Sequence, residues 1–284
     1  STGEYPMTDV RFYDEIGQNG ERILPFYRYL VIWSGLYTVH GGFIDWTNDG
    51  LGIPSFSNEL WNGDQYFTSP NLKEEQQTNP QSPIAPAVSR YYFDKYLEFG
   101  QEFQPWVKFN HPQFGEVEVG GAWRKFQGRV PPRFMSEELC HRNMAFSLYQ
   151  AGEMPLVSMG ETSVEKVGGD VYRVFVDITN SRLIPTVMAK AAQTGVVRPD
   201  LLLVESKSAE IISAGFIDNK TLYKVKPSVV PLVDQKDLKR IIIRNGQPGH
   251  STRTVMYLVK GSGSITVSYD SVKGGKASKT IALQ

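Results

Sequence analysis

The sequence predicts a fold in two parts: an α/β first half over residues 1–152, followed by an all-β sandwich of immunoglobulin-like type over residues 153–284. All five Trp, 10 of the 14 Tyr and 13 of the 15 Phe lie before residue 153. The first part carries 12 Lys and Arg against 18 Asp and Glu, a net charge of −6, and the second carries 18 against 12, a net charge of +6. A length of 284 residues also suits about two domains. We therefore expect two domains of different character.

In the first part, apolar residues recur at helical spacing in four segments, and alternate between strand faces in one. The long, polar stretch between the second and third helical segments is rich in Pro, Asn and Gln, which is typical of a surface loop. The predicted elements are helices over 8–16, 23–34, 87–100 and 136–150, a loop over 62–86, and a pair of strands within 106–126.

From Leu156 onward, short alternating runs are separated by glycine-rich turns, which is the pattern of a sandwich of short strands. The segment LIPTVMAKAAQTG, residues 183–195, fits either a short helix or a crossing loop. The clearest predicted strands are 171–178, 241–243, 255–259, 264–272 and 279–283.

Composition excludes several classes of protein. Cys140 is the only cysteine, so the chain can form neither an internal disulfide nor a thiolate zinc cluster, and we expect a buried thiol. The balanced charge gives no indication of a nucleic-acid or membrane partner. No apolar run approaches the length of a membrane-spanning helix.

One segment, YTVHGGFIDWTNDGLGIPSFSNE, concentrates the chemistry of the first part in residues 37–59. It holds a tyrosine, a pair of glycines, an Asp-Trp pair and a terminal glutamate. Residues 53–60 are predicted to form a buried strand that carries Glu59. A carboxylate in such a strand is costly to bury unless it is paired or used.

This segment resembles the end of the catalytic domain of the carboxypeptidase A-like zinc carboxypeptidases. Their pattern is a mobile tyrosine, a Ser/His-Gly-Gly turn, an Ile-Asp-Trp triplet and a catalytic glutamate fourteen residues after the aspartate. Residues 37–59 fall into that register without a gap. The resemblance to the catalytic domain covers roughly residues 8–62, and it implies an α/β mixed-sheet domain. Residues 63–284 resemble the appended helices and β-sandwich of larger bacterial members.

The resemblance implies a role for each matched residue. Glu59 would be the general base and acid of peptide hydrolysis. Tyr37 would fold over the C-terminus of the substrate and donate a hydrogen bond. Ile44 would form the floor of the pocket for the C-terminal side chain, and an isoleucine there implies a preference for aliphatic or aromatic residues.

The remaining matched residues shape the turn. Gly41 and Gly42 would let the backbone approach the substrate closely and adopt positive φ. Asp45, which we group with the substrate-binding residues, is expected to brace this turn together with Trp46. His40 stands where many relatives have serine, and we expect it to support the turn rather than bind metal.

The zinc ligands of the family are absent from this sequence. None of the four histidines starts a His-x-x-Glu pair, and the family's ligands and substrate-binding arginines precede the tyrosine. We therefore expect zinc in a longer parent protein, no metal ligand in this chain, and no activity of this chain alone. The partners implied are a peptide or protein substrate, and either the missing N-terminal part of the catalytic domain or a second copy. Secretion or periplasmic residence is implied by the resemblance alone.

Two alternatives remain open. The chain is either the C-terminal portion of a longer carboxypeptidase or a short homologue that binds a peptide, protein or glycan without catalysis. A glycosidase that pairs Glu59 with Asp45 ranks last, because the peptidase register accounts for both carboxylates.

Overall fold

The computed structural model describes residues 5–61, 84–125, 129–217, 223 and 232–284. The chain combines helices with mostly antiparallel sheets. It forms two compact units, and each is assembled from separate stretches of sequence. The first unit contains Ser1–Ile16, Ile32–Phe56 and Tyr149–Gln284, and the second contains Gly17–Val31 and Ser57–Leu148.

The helices are α1 (Met7–Ile23), α2 (Ile32–Gly35), α3 (Phe43–Asp45), a π-helical turn (Trp46–Gly50), α4 (Ile84–Leu97), α5 (Arg133–Gly152) and α6 (Ala189–Thr194). The strands are β1 (Phe103–Gln104), β2 (Val107–His111), β3 (Gly115–Val119), β4 (Ala122–Trp123), β5 (Val157–Gly168), β6 (Val171–Asn180), β7 (Asp200–Glu205), β8 (Ala209–Ile217), β9 (Arg240–Ile243), β10 (Ser251–Gly261), β11 (Gly263–Ser271) and β12 (Gly275–Leu283).

Strands β5 to β12 form two four-stranded antiparallel sheets in the first unit. The strand order is β5-β6-β10-β8 in one sheet and β12-β11-β7-β9 in the other. Alternate residues of a strand point to the same side of its sheet, so each strand contributes every second side chain to the space between the sheets. In β11 these are Ile265, Val267 and Tyr269, all of them buried. Buried residues of both sheets form one hydrophobic core.

The middle of β6 is buried on both faces, since Val174 and Val176 point into this core while Phe175 points away from it. Phe175 packs with Ile217 and Met256 in a second, smaller cluster. The outer face of the β5-β6-β10-β8 sheet is therefore partly covered. This double burial explains why β6 is a nearly continuous apolar run and was recognisable from sequence.

A buried polar cluster lies at one end of the sandwich. The hydroxyl groups of Thr186 and Tyr269 donate hydrogen bonds to the same Asp200 carboxylate oxygen, at 2.5 and 2.8 Å. The Gln247 backbone N–H donates to the Thr186 hydroxyl oxygen at 2.7 Å. Burial, followed by the charge of Asp200, raises the pKa of the Tyr269 hydroxyl. The cluster ties β7 and β11 to the connections that precede α6 and β10.

The second unit contains helix α4, most of α5 and the hairpin β2–β3. In the hairpin, Val107 pairs with Val119 and Phe109 pairs with Val117, so one face is apolar. The other face carries an exposed ion pair between Lys108 and Glu116, at 3.0 Å. The alternation predicted for this region is confirmed.

Three predictions about the first part are wrong. Residues 24–31 are not helical, because Pro25 lacks a backbone donor and Phe26 adopts a left-handed φ of +70°, which a continuing helix cannot accommodate. Residues 53–60 form no strand, since no other strand pairs with them in the described part of the chain. Cys140 is exposed rather than buried. The loop predicted over 62–86 lies outside the described residues up to 83, and residues 84–86 open α4.

The predicted strands of the second part are confirmed within β6, β9, β10, β11 and β12. The segment 183–195 contains α6, so the helical alternative is correct for its second half. No helix among the described residues is long and apolar enough to cross a membrane.

Candidate functional site

The Gly-Gly turn leads from an extended segment into helix α3. Gly41 has a φ of +68°, and a Cβ atom at this position would meet no other atom within 4 Å. The glycine is therefore favoured by backbone conformation and not by crowding. Gly42 returns to extended geometry, and its N–H donates a hydrogen bond to the Asp45 carboxylate at 3.2 Å. Asp45 thus braces the turn.

Thr47, which is buried, holds the helical segment after the turn. Its hydroxyl lies 3.1 Å from the carbonyl oxygen of Phe43 and 3.0 Å from that of Ile44. The same hydroxyl lies 2.7 Å from the hydroxyl of Ser55. The backbone around Ile44 is consequently tied to the segment that follows Gly52.

Asn48 is the centre of a polar network with the N-terminal helix. Its amide oxygen accepts a hydrogen bond from the Tyr13 hydroxyl at 2.8 Å, and its amide nitrogen donates to the Tyr5 hydroxyl oxygen at 3.0 Å. The Ser55 N–H donates to the Tyr13 hydroxyl oxygen at 3.2 Å. Burial, together with the hydrogen bond that Tyr5 donates to Asp49, raises the pKa of Tyr5 to about 12.

The sandwich holds the same segment from the other side. The Lys273 ammonium donates hydrogen bonds to the carbonyl oxygens of Leu51, at 3.2 Å, and Gly52. Burial lowers the pKa of Lys273 to about 8. Gly52 has a φ of +59°, and a Cβ atom there would lie 2.7 Å from Val197 and 2.8 Å from Ala191. Only glycine fits between α6 and the chain at this point.

Asp9 links helix α1 to helix α6. Its carboxylate is almost fully buried and accepts hydrogen bonds from the backbone N–H groups of Ala189 and Lys190, both at 2.8 Å. These two donors belong to the first turn of α6. The residue before this turn, Met188, has an apolar side chain that cannot accept a hydrogen bond from them. Burial raises the pKa of the Asp9 carboxyl, and the two backbone hydrogen bonds oppose this shift.

The structure corrects the environment expected for Glu59. This residue is exposed, has no strand around it, and belongs to the second unit, whereas residues 37–56 belong to the first. Its neighbour Asn58 donates a hydrogen bond to Asn143 at 2.9 Å, and Asn143 donates to the Tyr27 hydroxyl oxygen at 3.3 Å. The charge of Glu59 contributes to the raised pKa of Tyr27, although burial is the larger cause.

The other matched residues are largely open to solvent. Tyr37 is 64% exposed and Trp46 is 57% exposed, while Ile44 is half-buried. The structure therefore joins Gly42 to Asp45 and the Ile44 carbonyl oxygen to Thr47 through hydrogen bonds, and it leaves the Tyr37 side chain exposed. Tyr37 itself is held through its backbone, since its N–H donates to the Ile32 carbonyl oxygen at 3.0 Å.

The described residues contain no group of three or more His, Cys, Asp or Glu side chains that could hold a metal ion. His40 is exposed, and the side chain of His250 lies 3.9 Å from Glu153 without a third potential ligand.

Asp9, Asn48 and Lys273 were missed from the sequence. In the sequence, Asp9 looks like an ordinary acidic residue in the first turn of a helix. Its partner Ala189 is 180 residues away, so no local pattern indicates the contact. Lys273 stands in the turn SVKGG between two strands, where a lysine is normally solvated. Only Asn48 gave a local signal, as a polar residue in the unusual sequence WTNDG.

Comparison with known proteins adds one match. Residues 156–282, which span the sandwich, match a family described as a domain of unknown function (DUF8731). No curated protein matches the chain. The matched residues coincide with strands β5 to β12.

Proposed function

We propose that this chain is the C-terminal portion of a zinc metallocarboxypeptidase that removes apolar or aromatic residues from the C-termini of peptides. The observation that carries the proposal is the ungapped register of residues 37–59, together with the geometry of its turn. Gly41 is left-handed, and the Asp45 carboxylate accepts the Gly42 N–H. This is the bracing role that the resemblance assigns to the aspartate of the Ile-Asp-Trp triplet.

The chain would contribute three functions to hydrolysis. Glu59 would accept the proton of the attacking water and return it to the leaving amine, which requires a carboxylate free of a competing cation. In the described part of the chain no ion pair engages Glu59. Tyr37 would close over the substrate, since its side chain is exposed and its backbone N–H bonds to the Ile32 carbonyl oxygen. Ile44 would contact the apolar C-terminal side chain.

The metal would be held by residues that lie outside this chain. Because none of the four histidines starts a His-x-x-Glu pair, we assign no zinc ligand to this chain. Its part is limited to proton transfer at the Glu59 carboxylate, substrate closure by Tyr37, and shaping of the turn by Gly41, Gly42 and Asp45.

Exposed apolar side chains support a partner at this segment. Between residues 33 and 46, Trp33, Tyr37, Phe43 and Trp46 are each more than half exposed. Large apolar side chains concentrated in one short segment mark an interaction surface. We infer that the N-terminal part of the catalytic domain covers this surface, and that without it the chain self-associates at high concentration.

We also infer an immunoglobulin-like topology for the sandwich. The order β5-β6-β10-β8 corresponds to strands A, B, E and D of that fold, and β7-β11-β12 corresponds to C, F and G. Strand β9 would be an addition next to the C strand. The same topology is a common scaffold for binding, which is the basis of the alternative function as a non-catalytic peptide, protein or glycan-binding homologue.

The test joins this chain to the polypeptide encoded in frame before Ser1. We expect the joined protein to release C-terminal Phe or Leu from peptides in a chelator-sensitive way, and this chain alone to release neither. Glu59→Gln should lower kcat by about 10²–10⁴-fold, since it removes a general base. Glu15→Gln, an exposed carboxylate on α1, is the matched control and should leave the rate unchanged.

The absence of an upstream His-x-x-Glu pair, or a joined protein whose activity is unaffected by Glu59→Gln, would overturn the proposal. Binding of a peptide without hydrolysis by the joined protein would instead favour the non-catalytic alternative.

A further inference from the structure

A cleft of about 320 Å³ lies within the second unit and has no role in the function proposed above. Its apolar lining comes from Phe93, which is buried, together with Val130 and two prolines, Pro131 and Pro132. The Phe93 ring is held by an edge contact with the Trp61 ring, at 5.7 Å between centroids. The cleft therefore has a fixed apolar floor.

Two carboxylates, Glu98 and Glu102, line one part of the cleft. The chain turns back between them, with left-handed φ angles at Phe99 and Gly100. Asp94, which is buried, fixes this turn because its carboxylate accepts the Glu102 N–H at 2.8 Å. The position of the two glutamates is thus set by backbone hydrogen bonds and not by a counterion.

Three cationic side chains also line the cleft, and those of Arg124 and Arg133 are guanidinium groups while the third is Lys125. Strands β1 and β4 pair Phe103 with Trp123, and the Arg124 N–H extends this pairing by donating to the Glu102 carbonyl oxygen at 2.9 Å. Glu102 and Arg124 are therefore directly opposite one another on adjacent chain segments.

The two glutamates and the two arginines bring charged groups of opposite sign to one cleft. In the part of the chain that the structure describes, no ion pair joins Glu98 or Glu102 to Arg124 or Arg133. Burial, followed by the charges of Glu102 and Asp94, raises the pKa of Glu98, and Arg124 only partly opposes the shift. The carboxylates consequently have unused capacity for a cation, and the guanidinium groups have unused capacity for an anion.

We propose that this cleft binds a free α-amino acid in its zwitterionic form. The ligand carboxylate would contact Arg124 and Arg133, its ammonium group would contact Glu98 and Glu102, and an apolar side chain would lie on Phe93. A simple anion would leave the glutamates repelling each other, and a simple cation would face the guanidinium groups. The volume suits a single amino acid, since pockets of about 300 Å³ lie at the small end of ligand sites.

This inference does not rest on the peptidase proposal, because the cleft uses none of the residues assigned to hydrolysis and binding is measured without catalysis. It would stand if the joined protein had no peptidase activity. Conversely, loss of binding at the cleft would leave the roles assigned to Glu59 and Tyr37 unaffected.

The experiment titrates the full chain with L-phenylalanine and follows binding by calorimetry and by backbone amide NMR shifts. Two analogues isolate the charges: N-acetyl-L-phenylalanine lacks the ammonium group, and L-phenylalanine amide lacks the carboxylate. We expect saturable binding of L-phenylalanine with a Kd of about 1 mM or lower, and about tenfold weaker binding of either analogue.

Two variants locate the site. Glu102→Gln should weaken binding of L-phenylalanine but not of N-acetyl-L-phenylalanine, which has no ammonium group for Glu102 to contact. Arg124→Gln should weaken binding of both. Lys108→Gln, on the exposed face of the β2–β3 hairpin, is the control and should change neither.

Each of three results would overturn the proposal. One is the absence of saturable binding up to about 10 mM L-phenylalanine, a concentration that even weak specific sites bind. Another is equal affinity for L-phenylalanine and its N-acetyl analogue, which would mark a general anion site. The third is unchanged affinity in both cleft variants, which would place the binding elsewhere.

Discussion

The carboxylate of Asp9 accepts the backbone N–H of Ala189, 180 residues further along the chain, at 2.8 Å. It accepts the next N–H, that of Lys190, at the same distance. A side chain of the N-terminal helix thus satisfies the start of a helix in the sandwich region, within one compact unit. Residues 41–52, which contain the Gly-Gly turn, lie in this unit as well. Asn48 in this segment donates a hydrogen bond to Tyr5, and Lys273 donates one to the carbonyl oxygen of Leu51.

We expect Asp9→Ala to lower the free energy of unfolding by about 2–3 kcal/mol, because two partly buried N–H groups lose their acceptor. Urea denaturation followed by circular dichroism measures the change. Glu15→Ala, at an exposed position of the same helix, should change stability by no more than about 0.5 kcal/mol. Equal losses in the two variants would show that the Asp9 contacts contribute nothing specific.

We expect the contribution of Lys273 to the free energy of unfolding to increase at alkaline pH. Its pKa is about 8 in the folded chain, against an ordinary value of 10.5, so the unfolded chain binds more protons between these values. Stability contributed by this group therefore rises with pH from about 8 towards 10.5. We expect the stability of the wild type relative to Lys273→Met to increase over this window in urea denaturation.

Lys260→Met, which removes an exposed lysine from β10, controls for the loss of one charge. A wild-type to Lys273→Met difference that stays flat from neutral to alkaline pH would contradict the burial of the ammonium group against the carbonyl of Gly52.

Gly52→Ala should lower stability by about 2–4 kcal/mol, combining left-handed backbone strain with overpacking. The new methyl group would lie 2.7 Å from Val197 and 2.8 Å from Ala191. Gly169→Ala is a close control, since its φ of +57° matches the +59° of Gly52 but a Cβ there meets nothing within 4 Å. We expect the control to lose only about 1–2 kcal/mol. Thermal and urea unfolding of both variants measure the steric part as a difference, and similar losses would argue against the close packing at Gly52.

Two Tyr→Phe variants should differ in their effect on the free energy of unfolding. Tyr13→Phe removes a hydroxyl that donates to Asn48 and accepts from Ser55, and should cost about 1–2 kcal/mol. The hydroxyl of Tyr257 is buried without a hydrogen-bond partner in the described part of the chain, and burial raises its pKa. Tyr257→Phe should therefore be neutral or stabilising by up to about 2 kcal/mol. The unfolding midpoints of the two variants test this, and a clear loss at Tyr257 would reveal a partner for its hydroxyl.

Local pattern was sufficient for the sandwich and for two helices. Strands such as β6 and β11 were predicted because their apolar residues pack into one shared core. A strand that packs on a core shows alternating apolar residues, or a run of them, in its sequence. Helices α4 and α5 were predicted with boundaries displaced by a few residues, as expected where helix ends depend on capping contacts.

Residues 53–60 were predicted wrongly because an apolar run does not by itself supply a neighbouring strand. A strand needs partners for its backbone groups, and in the described part of the chain none lies beside this segment. Glu59 is accordingly exposed, and its role in catalysis remains a proposal that depends on the register of residues 37–59.

The sequence by itself determined the antiparallel β-rich second part, the histidine spacing that lacks a zinc-ligand pair, and the composition of the Gly-Gly turn. Only the tertiary structure decided that Asp9 caps a distant helix, that Lys273 is desolvated against the carbonyl oxygen of Gly52, and that two glutamates and two arginines line one cleft. The physical reason is the distance along the chain over which each effect acts. Periodicity and turn chemistry act over a few neighbouring residues, whereas burial of a charge and the sharing of a hydrogen bond depend on which distant segments the folded chain brings into contact.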